Sequence, residues 1–251
     1  MLRTIKALAA ALAIGVTSAG ALASSTVNAT FNSVSPGESF NYSLDGNGES
    51  TTAGVFNWTS VAGGTTNLGA YNAFCIELTQ TINYGGTYLY NIDPLSNGPT
   101  PGYDTGGNGI NGPMGATKAG DVEELWGRYY TNIFTGSSAQ QQVNAAAFQI
   151  AIWDIVFGSN LNLASGNFHA TNLSDPAVVL AQSELNSLTG TGPMANLIAL
   201  DNSSAQDMVT TTTPVVPAGG SVPEAGTTGT AALGLAGLTL AALRRRKVAA
   251  A

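Results

Sequence analysis

One cysteine and one glutamine are the residues of this sequence whose types and surroundings could do chemistry together. Cys75 is the chain's only cysteine and sits in Ala73-Phe74-Cys75-Ile76-Glu77-Leu78, so no internal disulfide can use it. Gln149 sits in Phe148-Gln149-Ile150-Ala151-Ile152-Trp153-Asp154, on an apolar helical stripe where a side-chain amide is costly to bury unless it finds a partner. Attack of the Cys75 thiol on the amide carbon of Gln149, with ammonia leaving, would give a buried thioester that satisfies both residues at once. The alternative is that Cys75 is a small buried hydrophobe and the helix an ordinary core helix.

Two different kinds of element must present this pair. From Thr26 to about Ile92 the sequence alternates in segments such as Ser39-Phe40-Asn41-Tyr42-Ser43-Leu44 and Val55-Phe56-Asn57-Trp58, separated by Gly, Asn and Ser turns. This predicts antiparallel strands in a sandwich or barrel, with Cys75 on one of them. Asn97 to Gly115, rich in Gly, Pro and Asn, reads as a long surface loop. A helix is expected to open at Asp121, with Asp121 as N-cap, Glu124 reaching back to it, and Leu125, Tyr129 and Ile133 on one face. Gln140 to Phe157 lacks Gly and Pro and places Ala145, Gln149, Ile152, Trp153 and Val156 on one stripe, with Gly158 ending it. A third helix is expected from Ser174 or Asp175, with Pro176 in its first turn, through Val179, Gln182 and Leu185 to Gly190. Gln206 to Thr213 reads as a returning strand. The fold class is therefore mainly β with a helical insertion of two to three helices at about 116–190.

The segments Phe74 to Glu77 and Phe148 to Trp153 resemble the thioester domains of bacterial surface adhesins. There an aromatic-Cys-apolar-acid strand motif is bonded to an apolar-Gln-x-Ala-Ile-Trp helix motif. The resemblance implies an electrophilic thioester that acylates amines on a target surface. Carried over, Cys75 is the leaving thiol and Gln149 the acyl carrier, with Phe74, Glu77, Trp153 and Asp154 in support. Trp153, one turn beyond Gln149, would pack beside the bond and limit its hydrolysis.

Other constellations fall to simpler readings. Gly107-Asn108-Gly109-Ile110-Asn111-Gly112 formally matches a dinucleotide fingerprint but has no strand before it and no helix directly after it. Asp45-Gly46-Asn47-Gly48-Glu49 begins like a calcium loop, yet Ser50 and Phe56 stand where the turn glycine and bidentate acid belong, so a hairpin turn is the better reading. His169 is the only histidine; a multi-histidine metal site is impossible and the residue reads as part of a loop. Asp121, Glu123 and Glu124 suggest paired carboxylates for glycoside hydrolysis, but a helix's first turn accounts for their clustering. Nor are there the regular Thr-x-Thr ladders that ice binding requires. No enzyme, cofactor or metal is expected.

The ends speak to location. Arg3 and Lys6, an apolar run from Ala7 to Val16, and Ala21-Leu22-Ala23 make a signal peptide over 1–23. The exported domain would then span 24–215, with a linker at 216–221. Val222-Pro223-Glu224, an uncharged stretch at about 225–243 long enough to cross a bilayer, and the stop cluster Arg244, Arg245, Arg246 and Lys247 follow in order over a tail of 222–251. Together they resemble the PEP-CTERM sorting signal processed by exosortases in bacteria that usually make exopolysaccharide; Ala225 replaces that family's second proline. The resemblance implies an exosortase-type partner and a cell-surface or extracellular destination, with the tail helix holding the chain in the inner membrane. Of eight basic residues, only Lys118 and Arg128 lie between signal and tail. The acidic remainder excludes nucleic acid as a partner. It also leaves Lys118 as the only internal lysine that a thioester could acylate. The expected function is thus an exported, surface-sorted adhesin acting on surface amines. The alternative is a matrix or biofilm protein that binds exopolysaccharide without covalent chemistry.

Overall fold

The computed structural model describes residues 25–99 and 113–212. The signal, the linker, the sorting motif at Val222, Pro223 and Glu224, the basic cluster and the Gly107–Gly112 segment lie outside them.

Two long strands, β1 (Thr26–Leu44) and β2 (Asn47–Val61), form a hairpin paired along almost its whole length. Its turn is the expected one: Asp45 and Gly46 both take positive φ, 50° and 83°, which a two-residue hairpin turn matching the strand twist requires. Strands β3 (Ala70–Cys75), β4 (Thr87–Pro94), β5 (Phe168–Ala170), β6 (Leu197–Asp201) and β7 (Met208–Thr211) complete one sheet. Its pairings are all antiparallel and run β1–β2–β3–β7–β6–β4 and back to β1. The circuit closes, so the sheet is a barrel. Closure removes edges that would otherwise expose unpaired backbone.

Trp58 is buried at its centre against Phe31, Tyr71, Tyr88 and Tyr90. Beyond the barrel the hairpin continues outward, and β5 adds to it at Tyr42–Leu44.

The helices are α1 (Gly115–Tyr129), α2 (Ser138–Phe157) and α3 (Pro176–Asn186). Ser137 caps α2 by accepting from the Gln140 N–H, and Asp175 caps α3 through the Ala177 N–H, with Pro176 in the first turn as expected. From Ala145 to Phe157 every residue of α2 is buried. The helix lies against the extended hairpin and β3 and is flanked by α1 and α3; apolar residues all round are what such a position needs.

Several expectations are corrected. Helix α1 starts at Gly115 and no side chain caps it, so Asp121 is mid-helix and Glu124 is no capping-box partner. The Glu124 carboxylate instead turns sideways, fully buried. It takes hydrogen bonds from Arg128 (2.5 and 2.8 Å), the Thr189 hydroxyl and the N–H groups of Thr189, Gly190 and Gly192. That loop reaches α1 because Gly127 and Gly192 carry no Cβ; one at either position would strike Pro193 O or the Glu124–Arg128 pair. Helix α3 stops at Asn186 rather than Gly190, where Ser187 N–H and hydroxyl both fold back to Glu184 O. His169 lies on β5, not in a loop. The returning strand expected within Gln206 to Thr213 is β7, and a further strand, β6, precedes it where the sequence suggested none.

Candidate functional site

Cys75 is the last residue of β3 and Gln149 stands midway along α2; neither exposes any surface. The Cys75 N–H donates to Gln149 Oε1 at 2.9 Å, and Gln149 Nε2 donates to Cys75 O at 2.8 Å. The strand explains this pairing. Ala73, two residues earlier, faces Phe56 of β2 in the last β2–β3 pair. Backbone groups alternate sides along a strand, so those of Cys75 point to the β2 side just where β2 has left. The Gln149 amide fills the place of the missing strand.

Aromatic packing sets the register of helix on strand. Phe74 and Phe148 immediately precede the two site residues and meet at 4.7 Å between ring centroids, with Trp126 and Tyr130 around them. One turn on, Trp153 is buried against Phe40, Tyr42 and Phe168. Its indole N–H has no hydrogen-bond partner among the described residues, and its nearness favours the Cys75 thiolate.

The sulfur is enclosed by the turn that follows the strand: Cys75 Sγ donates to Glu77 O, and Glu77 N–H approaches Sγ at 3.4 Å. Burial pushes the Cys75 thiol up to about 12. The Glu77 backbone and Trp153 oppose that shift, while the charges of Glu77 and Asp207 add to it. The resting sulfur is therefore a neutral thiol, which would have to lose its proton to act as a nucleophile. In such an attack the Gln149 amide carbon would be the electrophile. The N–H of the nucleophile's own residue sits on the carbonyl oxygen of Gln149, where negative charge would develop. Gln149 Nε2, the nitrogen that would leave, is held on Cys75 O.

Of the residues singled out from sequence, Phe74, Glu77 and Trp153 border the pair. Asp154 does not; it faces α1, where both its oxygens are buried without a hydrogen-bond partner. Lys118 lies nearby, but its Nζ donates to Val156 O (2.6 Å) and Gly158 O (3.4 Å), carbonyls at the end of α2. Asp207 was missed. Its N–H donates to Glu77 Oε2 at 3.2 Å, and its carboxylate accepts from the Asn202 N–H at 2.6 Å; no spacing in the sequence marks it. Among the described residues no group of His, Cys, Asp and Glu could hold a metal ion, and no helix is long and apolar enough to cross a membrane.

No family model matches the chain, and neither a curated protein nor a solved structure matches it.

Proposed function

We propose that the chain is an exported, surface-sorted adhesin whose Cys75 and Gln149 form an internal thioester that acylates amines on a target surface. The observation that carries this reading is the seating of the Gln149 amide on Cys75, in a site that excludes water. In forming the bond, Cys75 Sγ joins the Gln149 amide carbon, the C–N bond breaks, and the thiol proton leaves with the nitrogen as ammonia. In use, an amine nitrogen joins the same carbon, the C–S bond breaks, and the thiol is restored. The signal peptide and the PEP-CTERM-like tail, with an exosortase-type enzyme as processing partner, bring the domain to the cell surface or the extracellular matrix.

The same two hydrogen bonds also satisfy Gln149 without any covalent step. That favours a second reading, a structural or binding protein of an exopolysaccharide matrix. Labelling separates the two. Core and barrel close within residues 25–212, so a protein spanning 24–217 can be used. Incubated with a biotin-linked primary amine, it is expected to take one label at Gln149, and Cys75→Ala to take none. A wild-type protein that stays unlabelled after prolonged incubation supports the matrix reading.

A further inference from the structure

A groove runs between helix α3 and the chain that follows α2. Its volume is about 720 Å³, within the ~300–1,000 Å³ of pockets that hold small ligands. One wall is the outward stripe of α3, where Val179, Gln182, Ser183 and Asn186 recur at helical spacing. The opposite face of that helix packs inward through Ala177, Ala181 and Leu185, as an amphipathic helix does. The other wall is the loop at 160–164, and Leu173 adds to the lining.

Gln182 holds the two walls in place with both ends of its amide. Its Oε1 accepts from the Leu163 N–H at 2.9 Å, and its Nε2 donates to Leu161 O and to Asn186 Oδ1, both at 3.0 Å. Leu161 is kept at a φ of 52°, a left-handed conformation uncommon for leucine that persists where the surroundings over-determine it. Among the described residues the other non-glycine residue with positive φ is Asp45, which the hairpin turn explains. Leu161 lies in no strand, helix or hydrogen-bonded turn, and its side chain lines the groove.

None of the lining residues carries a charge, in a chain whose formal net charge is −7. They offer two other kinds of contact. Leu173 and Val179 are 51 % and 56 % exposed, two of the few large apolar side chains left open to solvent. Asn160, Asn162, Ser183 and Asn186 are exposed as well. The Oδ1 atoms of Asn162 and Asn186 accept from the Ala164 N–H and from Gln182, and their Nδ2 groups have no partner among the described residues.

We propose that this groove binds a neutral saccharide. A sugar ring has an edge of hydroxyls that both donate and accept, and an apolar C–H face. Side-chain amides and the Ser183 hydroxyl match the first; Leu173 and Val179 match the second. A charged ligand would give up hydration here and meet no counter-charge. An extended peptide would find a helix and a loop where it needs a free strand edge. The inference goes beyond the thioester and is independent of it, since these contacts need no covalent bond.

The test titrates isotope-labelled protein spanning 24–217 with glucose, galactose, mannose, N-acetylglucosamine, cellobiose and maltose, and follows the backbone amide shifts. Each sugar is taken to about 50 mM, well above the ~1 mM dissociation constant expected of so few contacts. At least one neutral sugar should give saturable shifts confined to 160–164 and 173–186. Val179→Arg, which puts a long charged side chain at an exposed position of the groove, should weaken that binding about 10-fold or more. Asn186→Ala, which keeps the bonds of Gln182 to the loop, should weaken it about 5-fold. Cys75→Ala should bind as wild type does, so failure of the thioester leaves this test intact. No saturable shift with any of these sugars, or saturation that Val179→Arg leaves unaltered, overturns the proposal. So does tetra-alanine shifting the same residues where no sugar does, which would make the groove a peptide site.

Discussion

Replacing Trp153 with alanine is expected to lower the unfolding free energy by about 3–5 kcal/mol, and to shorten the life of the proposed thioester. The indole is 1 % exposed and joins three aromatic neighbours contributed by β1 and β5 to α2. Removing it opens a cavity between helix and hairpin that the surrounding rigid strands cannot fill. Because the same ring borders the Cys75 sulfur, the cavity would also give water a place beside the proposed bond. Trp58→Ala is the control. It removes an equally buried ring from the barrel centre, so it should cost a similar amount in urea unfolding while leaving the thioester's lifetime unchanged. A loss below 1 kcal/mol for Trp153→Ala, or equal shortening of the lifetime by both variants, would contradict the packing described.

Stability is expected to peak on the acid side of neutrality, near pH 4–5. Burial pushes Asp154 up to about 7 and Glu184 and Asp201 up to about 8. Lys118 opposes the shift at Asp154, and Asp207 and Asp93 add to it at Asp201. Each of these carboxyls has at least one buried oxygen without a hydrogen-bond partner. In the unfolded chain they ionise near pH 4. Between pH 4 and 8 the unfolded state therefore releases protons that the native state keeps, and stability falls as pH rises. The loss is on the order of several kcal/mol over the three groups.

Glu124 works in the opposite sense. Its burial alone would raise it, but the hydrogen bonds from Arg128, from the backbone of Thr189 and Gly190 and from the Thr189 hydroxyl outweigh that and bring it down to about 2. Its contribution is complete above the unfolded value near 4.5 and is lost as pH falls toward 2. Urea unfolding across pH 3–8 checks both limbs. Combining Asp154→Asn, Glu184→Gln and Asp201→Asn should flatten the neutral limb and raise stability at pH 7, and Glu124→Gln should flatten the acid limb. Stability that rises steadily from pH 5 to 8 would contradict this account.

The mainly antiparallel fold with three helices was legible because its signals are local. The alternation of Phe40, Tyr42 and Leu44, the Asp45-Gly46 turn, Asp175 before Pro176 and Gly158 after α2 each act within a few residues. What was not legible depends on distant partners. Glu124 in a cluster with Asp121 and Glu123 looks like a first-turn acid, and only the loop at Thr189–Gly192, brought close by two glycines, turns it into a buried ligand for backbone N–H groups. Strand β5 is three residues long and exists because the hairpin extends past the barrel and offers it an edge. Closure of the barrel rests on the pairing of β1 with β4, which no turn announces.

The site was half legible. Cys75 and Gln149 stood out as a lone thiol and an amide among apolar residues. That the amide would seat on the strand's backbone, and that Asp207 would brace Glu77, follow from where β2 leaves β3 and where β7 enters. Asp154 was misjudged by its proximity in sequence: five residues beyond Gln149 is well over a turn, which places it toward α1.

The central claim is the bond between Cys75 and Gln149, and the most direct measurement is the intact mass of the protein spanning 24–217, before and after methylamine, with Cys75→Ala alongside. The account predicts a native mass lower than the sequence mass by one ammonia, an increase by one methylamine on treatment, and neither change in Cys75→Ala. A wild-type mass equal to the sequence mass, with a thiol that reacts one-to-one once the protein is unfolded, would contradict it.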